Sequence, residues 1–298
     1  MDAFNEVIQY FSSDQRREMN ALSVFSPTEI RIRAGRRTRV IWIGGEAEIG
    51  AAVTPQEILA LISRMLDHSV YAWEDELGQG YFTLPGGVRV GVCGKFTSDN
   101  GKMRLVAPTS LLIRVAHEIK DCALQIRPFL LKDGCVQSMI LLSPPGMGKT
   151  TLLRDICRQL SQAGKEIAVV DERSEIAAVR DGENQLDAGE RTDVCEGLIK
   201  AQAIMTLIRS MSPGVIALDE IGSKEDAEAI EEAARMGVKV VATAHASDIP
   251  DALSRPMIGK ILSSGVFQYA CALGGSPGKI RAVYAFSEGK WRLISLLE

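Results

Sequence analysis

No stretch of the chain holds the roughly 20 consecutive apolar residues that a bilayer-spanning helix needs, so no segment reads as a membrane anchor. The opening Met1-Asp2-Ala3-Phe4-Asn5-Glu6 lacks the basic and apolar regions of a secretory signal, and the expected compartment is the cytoplasm. No C-x-x-C pair occurs. Cys93, Cys122, Cys135, Cys157, Cys195 and Cys271 are scattered away from histidine, which argues for reduced core thiols and against metal ligands. An excess of positive charge is also missing: 34 Lys and Arg stand against 38 Asp and Glu, a formal net charge of −4. Composition therefore does not point to nucleic acid as a partner, although a local basic patch could still bind it. No internal repeat or low-complexity tract is evident.

What is present is a soluble-protein composition, 46% hydrophobic and 24% charged, over 298 residues, enough for two domains. The first 23 residues place Phe4, Val7, Ile8 and Phe11 at helical spacing and then turn polar from Ser12 to Asn20, which predicts one docking helix. Glu29-Ile30-Arg31-Ile32-Arg33 alternates strictly, so Ile30 and Ile32 face a core and Arg31 and Arg33 share the opposite face. With Arg36, Arg37 and Arg39 these form either an anion-binding patch or a solvated strand face. A strand over Val40–Ile43 turns at Gly44-Gly45, and Thr54 with Glu57 predicts a capping box on a helix reaching Leu66. A mixed segment, Tyr71–Gly78, precedes a hairpin through Tyr81–Leu84, Pro85-Gly86-Gly87 and Val88–Val92. Asn100-Gly101 is a turn signal, and Leu111–Ala116 is a further strand. Arg89 and Arg114 each sit among apolar strand neighbours, where a buried guanidinium needs an anionic partner.

The organising feature lies further on. Met139-Ile140-Leu141-Leu142 reads as a buried strand and runs into Ser143-Pro144-Pro145-Gly146-Met147-Gly148-Lys149-Thr150, after which Thr151–Leu160 is helical. This is a P-loop, with Ser143 where the first glycine of G-x-x-x-x-G-K-[ST] usually stands. Its backbone N–H groups suit phosphates, Lys149 suits the β- and γ-phosphates, and the Thr150 hydroxyl suits Mg²⁺. Residues 143 to 151 are thus the expected ATP-contacting segment.

Downstream, strands and helices alternate: strand 136–142, helix 150–163, strand 166–171, helix 194–211, strand 214–219, helix 223–236 and strand 238–243. Such βαβ alternation predicts an α/β unit with a parallel sheet covered on both faces. Three of the strands end in chemistry. Val215–Leu218 runs into Asp219-Glu220, an acid suited to Mg²⁺ followed by one suited to polarising the attacking water. Ile167–Val170 runs into Asp171-Glu172-Arg173, expected as a second acidic shell, and Val240–Ala242 leads to Thr243 and His245. The expected organisation is an α+β domain over residues 1–120, joined through Glu118–Leu124 to a P-loop domain over 121–298.

The order P-loop, Asp171–Glu175, Asp219-Glu220, Thr243–Ala246 resembles the type II/type IV secretion ATPase superfamily, whose members carry an acidic box, a strand ending in Glu and a histidine box after the P-loop. Leu207–Pro213 looks like that family's approach to the acidic strand. Asp219 departs from the glycine frequent in the family, as Ser143 does from the first loop glycine; neither change removes a catalytic group. The resemblance implies a RecA-like ATPase domain using ATP and Mg²⁺, with Glu220, Glu172 and His245 catalytic, Thr150 and Asp219 on the metal, and a homo-hexameric assembly. It further implies arginines from the N-terminal domain on the triphosphate, for which Arg89 and Arg114 are the candidates. At a closer level Glu29–Arg36, Gly87–Gly94 and Val170–Ile176 resemble a sporulation family of endospore-forming bacteria. That resemblance implies a cytoplasmic ATPase of the mother cell, peripheral at the membrane facing the forespore and docked on membrane-embedded sporulation channel proteins. A nucleic-acid-dependent RecA-type ATPase is the alternative.

Overall fold

A computed structural model of the chain describes residues 3–67, 77–99, 102–115, 118–172, 174–180 and 182–297. The segment 71–76, the turn at Asn100-Gly101 and Arg173 lie outside the described residues. The chain divides into two compact units, Met1–His117 and Glu118–Glu298. Among the described residues no helix is long and apolar enough to cross a membrane.

In the first unit the single helix expected over residues 1–23 is two, α1 (Ala3–Ile8) and α2 (Ser13–Leu22). The break is chemical: the Ser12 hydroxyl accepts from the Gln15 N–H while the Gln15 side chain accepts from the Ser12 N–H, a capping box that starts a second helix inside the polar stretch. The strands β1 (Glu29–Arg33), β2 (Thr38–Trp42), β3 (Gly45–Ile49), β4 (Tyr81–Leu84), β5 (Val88–Asp99) and β6 (Lys102–Arg114) form one antiparallel sheet in the order β3-β2-β1-β6-β5-β4. Register aligns Val40, Ile30, Ile113, Val90 and Phe82 across its buried face. The helix α3 (Pro55–Met65), with the Thr54–Glu57 box at its start, packs Ile58, Leu61, Ile62 and Met65 into the same core. Glu29, Arg114, Arg89 and Thr83 form the matching row on the opposite face.

The second unit opens with a short helix α4 (Arg127–Leu130) and a small hairpin of β7 (Leu131–Lys132) and β8 (Cys135–Val136). Its main strands are β9 (Met139–Leu142), β10 (Ile167–Val170), β13 (Thr192–Cys195), β14 (Val215–Leu218), β15 (Lys239–Ala244), β16 (Tyr269–Leu273), β17 (Ile280–Ser287) and β18 (Lys290–Leu296), with β11 (Val179–Arg180) and β12 (Glu183–Asn184) as a separate hairpin. The sheet order is β13-β10-β14-β15-β9-β16-β17-β18, parallel from β13 through β16 and antiparallel beyond. The four-residue strands β9, β10 and β14 are buried on both faces, which is why they read as unbroken apolar runs. The helix α5 (Lys149–Gln162) covers one face through Leu152, Leu153, Ile156 and Leu160. The helices α6 (Lys200–Met211), α7 (Lys224–Arg235) and α9 (Pro256–Ser263) cover the other, with the short α8 (Ile249–Ser254) leading into α9.

Two expected boundaries shift. The helix expected from 194 begins at Lys200, because Thr192–Cys195 extends the sheet: β10 has an open side there, and Val169 and Val170 take Val194 and Cys195 as parallel partners. The strand expected over 136–142 is interrupted between Val136 and Met139, where the Gln137 N–H turns to the Leu130 carbonyl.

Candidate active site

Parallel register brings the chemistry to one edge. Val170, Leu218 and Ala242 stand level, so Asp171, Asp219 and Thr243 follow them side by side, and Leu142 stands opposite Ala244, one residue before Ser143 and His245. The loop between β9 and α5 turns through two residues with positive φ, Gly146 at +74° and Gly148 at +84°, a conformation that costs other residues about 1 kcal/mol or more. Gly148 carries a second requirement: a Cβ there would come within 3.0 Å of the Gly278 nitrogen. Gly278, in the turn between β16 and β17, donates its N–H to the Met147 carbonyl at 2.9 Å. Ser143 is fully buried, its hydroxyl donating to the Pro144 carbonyl at 2.8 Å, which shows how a serine occupies the place of the usual glycine.

Lys149 is buried at the start of α5. Its ammonium donates to the Ser143 and Pro144 carbonyls at 3.1 and 3.2 Å and lies 3.1 Å from His245 Nδ1. Burial holds its pKa below lysine's ordinary value, opposed by the charges of Asp219 and Glu220. An ammonium has no acceptor, so His245 Nδ1 accepts and the ring proton resides on Nε2, 3.4 Å from Glu220 Oε1. The Thr150 and Thr243 hydroxyls donate to the two oxygens of Asp219, at 2.7 and 2.5 Å. Thr243 Oγ1 also accepts the Glu220 N–H at 2.8 Å. Lys149, His245, Glu220, Thr243, Asp219 and Thr150 therefore form one connected set. Asp219 and Thr150 offer oxygen donors side by side, the chemistry a hard cation such as Mg²⁺ takes when phosphate oxygens and waters complete its shell. Among the described residues no group of three or more His, Cys, Asp or Glu could hold a metal by itself.

The acidic end of β10 departs from expectation. Asp171 is buried and its carboxylate accepts the N–H groups of Glu175, Ile176, Ala177 and Ala178 at 2.8, 3.0, 2.9 and 3.4 Å. Arg154 holds the same loop by donating to the Glu175 and Ile176 carbonyls. Asp171 is thus an organiser of loop 174–178, and the second acidic metal shell expected there is corrected. Glu172 is half exposed and pairs with Lys200 at 3.2 Å. Lys200 is the contributor that residue spacing did not single out. Thr243 stood at a strand end already marked for the site; Lys200 showed itself only as a cation in the first turn of a helix, where acids are favoured.

In the first unit the expected burial of Arg89 and Arg114 is corrected. Both lie on the outer face of the sheet, Arg114 exposed and Arg89 half-buried with its guanidinium 4.1 Å from the Tyr81 ring centre. The strand alternation that buries Val90 and Ile113 sends these side chains the other way. The basic patch is largely matched within its own unit: Arg31 donates to Glu29 at 3.0 Å, Arg39 pairs with Glu46, and Arg37 donates to the Gly50 carbonyl at 2.7 Å.

A parallel sheet whose first strand enters a lysine-bearing phosphate loop, with acids and a histidine on the adjoining strand ends, defines a RecA-like P-loop ATPase fold. Solved structures agree in fold: the ATPase DotB of Legionella pneumophila superposes with a TM-score of 0.60 at 16% identity over 91% of this chain and 80% of that one. The pilus retraction motor PilT, solved with bound ADP, gives 0.59 at 17% identity over 95% and 83%. Within this class the chain belongs to the family described as sporulation stage III, protein AA, which matches residues 3–290. Stage III sporulation protein AA of Bacillus subtilis (strain 168) is 37% identical over 265 residues, 86% of each chain. The uncharacterized protein ycf45 of Porphyra purpurea is 32% identical over 154 residues, 51% of this chain and 26% of that one.

Proposed function

We propose that this chain is an ATP-hydrolysing motor of the sporulation machinery, working as a homo-hexamer docked on a membrane-embedded channel at the mother-cell face. The observation that carries the reading is the connected set from Lys149 through His245 and Glu220 to Asp219 and Thr150 at the carboxyl edge of the sheet. In this reading the loop 143–151 cradles the phosphates of ATP and Lys149 moves from its own loop carbonyls to the β- and γ-phosphates. Thr150 and Asp219 would hold Mg²⁺, which when bound neutralises phosphate charge. Glu220 orients and polarises the attacking water, while His245 Nε2–H fixes the direction of the Glu220 carboxylate. Glu172 lines the same acidic edge, and Arg89 and Arg114 are the cations assigned to the triphosphate. The channel, the membrane face and the hexamer follow from the family resemblance.

The test is phosphate release and nucleotide affinity of the purified chain with Lys149→Ala beside it. Wild type should hydrolyse ATP only with Mg²⁺, and the variant should lose turnover and bind ATP at least about 100-fold more weakly, since a point charge on two phosphates disappears. Equal affinity and turnover in the two proteins would sink the site assignment.

A further inference from the structure

Glu220 has φ of +51°, in the left-handed region that a side chain of its size rarely adopts, at the point where β14 ends. A residue stays there only when its surroundings over-determine it. Both backbone polar groups of Glu220 are taken by side chains from different elements. Its N–H goes to Thr243 Oγ1 on β15 at 2.8 Å, and its carbonyl accepts from Lys200 Nζ on α6 at 2.7 Å. The next residue is fixed as well, with the Ile221 N–H on the Thr243 carbonyl at 2.9 Å.

Lys200 is unusual in its own right. It is only 8% exposed, and it is the first residue of α6, where the positive end of the helix dipole disfavours a cation. Burial and the dipole both work against an ammonium at this position. Among the described residues its partners are the Glu220 carbonyl and the half-exposed carboxylate of Glu172, 3.2 Å away. A surface-facing ion pair alone contributes little to stability. The contact that uses the buried position is the one to the Glu220 main chain.

We infer that Lys200 is a positioning residue for ATP hydrolysis: by binding the Glu220 carbonyl it locks the left-handed peptide that aims the Glu220 carboxylate. Its action runs through that main-chain contact and not through the reacting atoms. With the carbonyl released, residue 220 relaxes toward the right-handed or extended region, and its side chain leaves the direction set by His245. A displacement of about an ångström in a water-polarising group lowers a rate by up to about a hundredfold. Thr243 cannot replace the lost contact, because it accepts the N–H groups of Glu220 and Ile221 and commits its own hydroxyl proton to Asp219, leaving no donor for the Glu220 carbonyl.

The inference rests on the ATPase reading above, and the experiment separates the two. The full chain is compared as wild type, Lys200→Met, which keeps the apolar stem without a donor, and Lys200→Arg, which keeps a cationic donor. Steady-state kcat and KM for ATP, ADP affinity and Tm are measured on each. Lys200→Met should lose about ten- to a hundredfold in kcat while KM and ADP affinity stay within about twofold, and Lys200→Arg should recover a large part of the rate. Absence of turnover in the wild type would remove the underlying reading. With an active wild type, the positioning role is overturned by unchanged kcat in Lys200→Met. It is equally overturned by ADP affinity and Tm falling in step with kcat, or by Lys200→Arg being no faster than Lys200→Met.

Discussion

Asp171 and Asp219 each follow a fully buried four-residue strand, and the residues before them, Val170 and Leu218, stand opposite one another in the same sheet. Their partners differ. Asp171 is held by four backbone N–H groups of one loop, and Asp219 by two threonine hydroxyls from a helix and a neighbouring strand. A backbone N–H cannot turn away without unfolding its loop, whereas a hydroxyl rotates about one bond and can give up its acceptor. A carboxylate saturated by main chain is committed to structure; one held by hydroxyls remains open to an exchangeable ligand.

Glu220→Gln probes the functional side of that contrast and carries the largest expected effect. It should retain ATP affinity and lose about 10²- to 10⁴-fold in turnover, read by single-turnover phosphate release. Wild-type rates would move the catalytic carboxylate elsewhere, with Glu172 next in line. Exchanging the two aspartates sharpens the contrast. Asp219→Ala should cost at least about a hundredfold in Mg²⁺-dependent turnover with little change in Tm, since the hydroxyls it leaves can rotate to other acceptors. Asp171→Ala should instead lose about 3 kcal/mol of stability in denaturant titration, because it strands buried N–H groups. Similar stability losses in both variants would dissolve the distinction. The smallest effects belong to the first unit. Arg114→Ala should lower turnover with ADP affinity and Tm unchanged, and Arg89→Ala should in addition lose about 0.5–1 kcal/mol from its contact with Tyr81. Normal hydrolysis by both would withdraw these arginines from the triphosphate.

The sequence made the parallel strands and the phosphate loop readable because burial on both faces leaves uninterrupted apolar runs, and because the loop's chemistry is contiguous. The roles of Asp171 and Asp219 were not distinguishable, since what separates them is supplied by Glu175–Ala178 in one case and by Thr150 and Thr243 in the other. Strand β13 was hidden for a related reason: Thr192–Cys195 alternates weakly, and only the open side of β10 makes it a strand. The outward placement of Arg89 and Arg114 follows directly from strand alternation, a rule that already orients Arg31 and Arg33. Lys200 was out of reach because its meaning depends on where β14 ends in space.

The hydrogen bond from Gly278 to the Met147 carbonyl joins the phosphate loop to the β16–β17 turn through main chain alone. Such a tether is indifferent to the side chain at 147 and crowds a Cβ at 148, which would stand 3.0 Å from the Gly278 nitrogen. It also makes the loop and the distal hairpin one mechanical element. A ligand that reshapes residues 143–148 either drags the turn along, passing displacement into β17 and β18, or snaps a contact with a net value of about 1 kcal/mol. Amide exchange at Gly278, slow in the first case and quickened by nucleotide in the second, tells a transmitted pull from a local rupture.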